Sequence, residues 1–282
     1  MKHTVPSPST DLRQILRLVT VILAGWLTVT PAFSAQDPTG VRSIEILPGW
    51  RMSDGTHMAA LSVELEPGWK TYWRAPGDAG IPPHFDWTGS KNVKNVRMFW
   101  PRPEVVTVAG MRSIVYHDEV VIPLQLAPKS PDAPIEMQVE LNLGVCKDIC
   151  IPVNLNFDIA LPASQTTPDA VIRAALASQP ESAKQAGVRS VSCAVAPIRD
   201  GMHVTAMIDM PPTGGDEVAV LEGPDPSIWV SDAQTSRKGS ILTASADMVP
   251  ASNAPFALDS TKIRITILGQ DRAVDIQGCT TG

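Results

Sequence analysis

Cys146 and Cys150 are separated by three residues in Gly144-Val145-Cys146-Lys147-Asp148-Ile149-Cys150-Ile151-Pro152, and the sequence on both sides alternates apolar and polar residues. Val139-Glu140-Leu141-Asn142-Leu143 precedes the pair and Val153-Asn154-Leu155-Asn156-Phe157-Asp158-Ile159 follows it, the period-2 pattern of half-buried strands. In one extended strand, residues four apart would lie roughly 13 Å from each other at about 3.3 Å per residue. A disulfide holds its Cα atoms about 4.4–6.8 Å apart, so a bond here requires a turn at Lys147-Asp148-Ile149. Closing so short a loop removes little unfolded-state entropy, about 2 kcal/mol for five residues against about 4.6 kcal/mol for a loop near 87 residues. A loop this short is a poor staple, which leaves the pair open to a role as a switch.

The first 35 residues read as a secretory signal peptide. Lys2, Arg13 and Arg17 form a basic start, Leu18–Val29 is a short apolar core, and Pro31-Ala32-Phe33-Ser34-Ala35 supplies small residues for cleavage. The apolar run is shorter than the roughly 20 residues that span a bilayer, and no later stretch is long and apolar enough to span. Removing three basic residues and one acidic one takes the formal charge from −6 to −8. An acidic chain without a basic patch argues against nucleic acid and anionic membrane surfaces as partners.

All four cysteines lie beyond residue 35. In an oxidising compartment an even count suggests disulfides, and four cysteines allow three pairings. The pairing adopted is Cys146 with Cys150 and Cys193 with Cys279, the second a structural bond tying the beginning of a C-terminal segment to its end.

From Val41 to Leu161 the chain is a run of short alternating segments bounded by Pro, Gly, Asp or Asn, which indicates an antiparallel sandwich or barrel. Thr167-Pro168-Asp169 reads as a helix start, with the proline at the first helical position, and a helix is expected over about 168–178. A polar stretch then runs to Gly187, and strand-like segments separated by Pro-Pro, Gly-Gly and Gly-Pro follow. The organisation expected is a first β domain over 36–162, a helical linker over 163–187 and a second, smaller β-sandwich over 188–282.

In the dense stretch 68–83, Trp69, Thr71 and Trp73 are expected to fill one sheet face while the Pro and Gly residues shape a loop. If that loop flanks the cysteine hairpin, Arg74 and Asp78 come near the pair. Lys147 would favour a thiolate there and Asp148 oppose it.

Gly68–Trp73, the Pro76–Pro83 loop, Val115–Leu124 and Cys146–Pro152 occur in an order that resembles the N-terminal periplasmic domain of the DsbD/ScsB-type thiol:disulfide interchange proteins. The likeness covers roughly residues 40–162, and the C-terminal region looks like the second β domain of the ScsB-type branch. It implies an immunoglobulin-like fold and a periplasmic location. It also implies that Cys146 and Cys150 take electrons from a membrane-embedded thiol reductase of DsbD/CcdA type and pass them to oxidised periplasmic thioredoxin-like proteins. By the same analogy Cys150 faces the partner, and no cofactor is needed because the cysteines carry the electrons. The chain departs from full-length members in lacking a transmembrane and a thioredoxin-like domain, so the electron donor is expected to be another protein. It also departs in the stretch aligned with the family's cap loop, Glu104–Gly110, which has only Glu104 and no aromatic residue.

Two other functions fit the same cysteines. Paired thiolates select Cu(I), with His84, His117 and Met111 as further candidate ligands, and an interaction module would use both disulfides structurally. His57 and His203 read as surface or locally bonded residues. There is no Gly-x-Ser-x-Gly, phosphate loop or zinc motif.

Overall fold

The computed structural model describes residues 39–78, 80–108, 110–251 and 256–281, together with Met1. The expected signal peptide lies outside the described residues apart from Met1. The described residues from 39 onward form one compact unit.

Ten strands build the first sandwich: β1 (Val41–Arg51), β2 (His57–Leu65), β3 (Lys70–Gly77), β4 (His84–Asp86), β5 (Val93–Met98), β6 (Glu104–Val108), β7 (Met111–His117), β8 (Glu119–Pro128), β9 (Ile135–Cys146) and β10 (Cys150–Leu161). One sheet runs β1-β2-β8-β5, and the other runs β10-β9-β3-β7-β6 with β4 added to β9. Period-2 burial explains why these segments stack. In β9, Ile135, Met137, Val139, Leu141, Leu143 and Val145 are buried, while Glu136, Gln138 and Glu140 face solvent. Those apolar residues join Leu61, Leu124, Leu126 and Trp73 in one core between the sheets.

Helix α1 (Ala170–Ala177) follows. Its N-cap is Asp169, whose carboxylate accepts from the Ile172 N–H at 2.9 Å, so Pro168 precedes the helix instead of opening it. A carboxylate satisfies an orphan amide better than a threonine two residues upstream can reach. Buried Ile172 packs with Trp50, Met58 and Ala60, so the helix is docked on the first sandwich.

The second sandwich comprises β11 (Glu181–Ser182), β12 (Ser190–Pro197), β13 (Met202–Asp209), β14 (Val218–Glu222), β15 (Ile228–Val230), β16 (Gln234–Lys238), β17 (Ile241–Pro250), β18 (Arg264–Leu268), β19 (Ala273–Gln277) and β20 (Thr280–Thr281). Its sheets run β11-β19-β18-β14 and β15-β17-β13-β12-β20, with β16 on β17. Val204, Ile208, Leu242, Ile265 and Ile267 form its core. The fold is therefore all-β, two immunoglobulin-like sandwiches joined by a short helix. Strand β11 lies inside the stretch expected to be polar linker and pairs in parallel with β19.

The two sandwiches are packed together. Leu268 and Ala273 from β18 and β19 are part of the first sandwich's core, and Val218 and Val220 pack against it. The Arg102 guanidinium donates to the carbonyls of Gly269, Gln270 and Asp271 at 2.7, 2.7 and 3.0 Å.

Candidate redox site

Strand β9 ends at Cys146 and β10 begins at Cys150, and the two residues are direct partners in the antiparallel register. Their sulfurs are 2.14 Å apart and their Cα atoms 4.1 Å apart. The intervening turn closes with the Lys147 N–H donating to the Ile149 carbonyl at 3.1 Å. Lys147, Asp148 and Ile149 are exposed, as is Cys150, whereas Cys146 is 2% exposed. The two sulfurs therefore differ in what can reach them.

Cys146 lies on the outward face of β9, where a side chain would ordinarily meet solvent, and neighbouring elements cover it. Strand β3 pairs with the end of β9, Lys70 opposite Cys146 and Thr71 opposite Val145, and the buried Thr71 hydroxyl donates to the Gly144 carbonyl at 2.9 Å. Alternation along β3 sends Trp73 into the sandwich core and Tyr72 to the outer face. There Tyr72, Val115 and Cys146 form a small buried cluster, with Val106 packed against it. The Tyr72 hydroxyl donates to Cys146 Sγ at 3.0 Å and lies 3.5 Å from Cys150 Sγ. Burial pushes the Tyr72 phenol above its ordinary value, so it stays protonated and remains a donor. Ile81, on the loop after β3, lies over Gly144.

The sequence reading missed Tyr72 because it counted the aromatic residues of β3 on one face only. The signal was the same alternation: a tyrosine between Thr71 and Trp73 must face away from both. Knowing that this face carries Cys146 requires the β3–β9 pairing, which no local pattern encodes.

The other expected site residues are elsewhere. The Arg74 guanidinium is taken by both carboxylate oxygens of Glu222 and by the Thr266 hydroxyl. Asp78 faces Asp232, whose carboxyl is raised by burial and by that second carboxyl, with Arg112 opposing the shift. Lys147 turns its ammonium to the Pro67 carbonyl at 3.3 Å. The Glu104–Val108 segment is an edge strand of the sheet, and Val106 supplies an apolar contact where an aromatic cap is absent.

His117 is bonded to Glu104 at 3.1 Å, and in the sheet Lys70 stands between it and Cys146. His84 pairs with Asn142, and Met111 opens β7. Among the described residues no group of three or more His, Cys, Asp or Glu is gathered to hold a metal. His57 is fully buried, its Nε2 2.6 Å from the Pro48 carbonyl, and His203 is bonded to Asp247. The remaining cysteines, Cys193 and Cys279, have sulfurs 2.01 Å apart and are buried in the second sandwich's core.

An immunoglobulin-like sandwich thus carries a cysteine pair at a hairpin mouth with one residue exposed and the other buried, an asymmetry that thiol–disulfide exchange can use. Residues 28–162, just under half of the chain, match the family model of the thiol:disulfide interchange protein DsbD, N-terminal. The crystal structure of the N-terminal periplasmic domain of ScsB from Proteus mirabilis is similar in fold, with a TM-score of 0.64 at 24% identity, covering 92% of this chain and 98% of that one. No curated protein matches the chain.

Proposed function

We propose that this protein relays electrons in the periplasm through the Cys146–Cys150 pair, from a membrane-embedded thiol reductase to oxidised thioredoxin-like proteins. The observation that carries the reading is the asymmetry of the pair: Cys150 is exposed, while Cys146 is buried beneath a phenol that donates to it. In the oxidised protein an incoming donor thiolate has access to Cys150 Sγ. Attack there breaks the Cys146–Cys150 bond, forms a mixed disulfide at Cys150 and releases Cys146 as a thiolate, which the Tyr72 hydroxyl stabilises. The donor's second thiolate then attacks its own sulfur in the mixed disulfide and leaves oxidised. That second attack releases Cys150 as a thiolate, so the pair has gained two electrons, and the thiolates exchange protons with water. Delivery runs the same steps in reverse, with the Cys150 thiolate attacking the client's disulfide and Cys146 resolving the intermediate.

The domain match and the periplasmic fold relative support this location and these partner classes. Among the described residues no helix is long and apolar enough to cross a membrane. In this reading residues 36–162 are the redox domain, 163–187 the linker and 188–282 the second sandwich, in which Cys193–Cys279 serves as the structural disulfide.

The deciding experiment is the reduction potential of the pair, obtained by equilibration in glutathione and dithiothreitol buffers with Cys193→Ser/Cys279→Ser as control. A value of about −120 to −270 mV, the range of exchange proteins, is expected. A value below about −300 mV, typical of structural disulfides, overturns the relay.

A further inference from the structure

We infer that the second sandwich tunes the cysteine pair, and that Arg74 is the positioning residue through which it does so. The inference rests on the exchange reading above. Strand β3 pairs regularly with β7 as far as Tyr72, opposite Val115, and its next partner is Gly77, opposite Ser113. Five steps along β3 thus match two along β7, so Trp73 to Pro76 form a bulge that starts directly after Tyr72. Such a bulge re-aims side chains, and here two are fixed in different places. Trp73 is buried in the first sandwich's core, and Arg74 leaves that sandwich for the second.

The Arg74 anchor is specific. Its Nε and Nη2 donate to Glu222 Oε1 and Oε2 at 2.9 and 2.8 Å, and Nη2 also donates to the Thr266 hydroxyl at 3.1 Å. The guanidinium carbon sits 3.8 Å from the centre of the Trp73 ring. Beside it, Arg264 forms a second fork with Asp275, at 2.8 Å for each bond, and Arg264 is paired with Glu222 across β14 and β18. Two cations thus face two carboxylates, and the planar fork fixes direction as well as charge. Arg102 and the shared apolar contacts hold the second sandwich against the first. The bulge is therefore tied to the second sandwich at Arg74, two residues after Tyr72.

Tyr72 is where a small displacement has a chemical effect. Its hydroxyl is 3.0 Å from Cys146 Sγ and 3.5 Å from Cys150 Sγ, and a hydrogen bond weakens steeply as its geometry departs from the optimum. Releasing Arg74 lets the bulge relax and carries the phenol away from the sulfurs. The Cys146 thiolate then loses its donor, and the reduced state becomes less favourable.

The test uses the full exported chain with Glu222→Gln, which weakens the fork from the far sandwich, and with Thr266→Val as a milder change. The readouts are the equilibrium of the Cys146–Cys150 pair with glutathione and the pH dependence of cysteine alkylation in the reduced protein. Glu222→Gln is expected to shift the equilibrium about tenfold toward the disulfide, about 30 mV for this two-electron couple, and to move the alkylation profile to higher pH. Thr266→Val is expected to do the same to a smaller extent. In a Tyr72→Phe background neither substitution should add anything. A Glu222→Gln protein that unfolds more easily yet keeps the wild-type equilibrium and profile shows that the clamp is architectural only, and overturns the inference. A shift that persists undiminished in Tyr72→Phe also overturns it, because the effect would then bypass the phenol. A wild-type potential below about −300 mV instead removes the exchange reading on which the inference depends.

Discussion

Ile81 occupies the space that a side chain at Gly144 would need: a Cβ on Gly144 would lie 2.8 Å from Ile81 Cβ and 3.2 Å from its Cδ1. Gly144 sits two residues before Cys146 on the same face of β9, so the absent side chain lets the loop after β3 close over the sheet beside the disulfide. Gly144→Ala is expected to destabilise the protein by about 1–3 kcal/mol, as overpacking does, measured by urea unfolding. Gly144→Ala/Ile81→Gly, which also removes the Ile81 Cβ, should recover part of that loss. If the double variant is no more stable than the single, the contact is not what makes glycine necessary.

Tyr72→Phe removes only the hydroxyl and leaves the ring in its cluster with Val115 and Cys146. A hydrogen bond to a charged group contributes about 1.5–3 kcal/mol, so the reduced pair should become about tenfold or more harder to form. The check is the thiol content of wild type and variant in the same set of glutathione buffers, with circular dichroism to show that the fold is kept.

Cys193→Ser/Cys279→Ser opens a link between residues 86 apart whose sulfurs are 2.01 Å from each other and buried in the second core. The chain-entropy argument gives a loss of about 4.6 kcal/mol, seen as a lower unfolding midpoint in denaturant. The glutathione equilibrium of Cys146–Cys150 should remain at its wild-type value wherever the protein is folded.

Two groups set separate windows of pH-dependent stability. Burial lowers His57 below its ordinary 6.5, outweighing its bond to the Pro48 carbonyl. A depressed folded value means that its contribution is present above 6.5 and is lost as pH falls through the folded value, because the unfolded chain takes up the proton first. The melting temperature should therefore fall on acidification from neutrality, and this slope should flatten in His57→Gln. Asp209, held at about 2 by the hydrogen bonds of Arg189, contributes above its ordinary 3.8 and is lost as pH falls toward about 2. Arg189→Gln should alter only this lower window.

Alternation along β9 and β10 and the punctuation between short segments were enough to read an all-β chain, because period-2 burial is written into neighbouring residues. The turn between Cys146 and Cys150 was legible for an equally local reason, the length of an extended strand against the reach of a disulfide. Short strands such as β4, β6 and β11 were not, since three to five residues, or two, carry too little periodicity to stand out and are ordered by the partner they pair with. The local pattern placed the cap at Thr167 with Asp169 as an acid of the first turn, and only the helix's contact through Ile172 settles that its first turn begins after Asp169. The same distinction runs through the site. Local pattern was enough to show which two cysteines a short turn could bring together and that Tyr72 faces away from Trp73. Tertiary structure alone decided that β3 lies beside β9, that Tyr72 therefore meets both sulfurs, and that Arg74 leaves the cysteines for Glu222, 148 residues further along the chain. Those contacts depend on which strands bury one another, a choice made by the whole chain at once and carried by no single stretch of it.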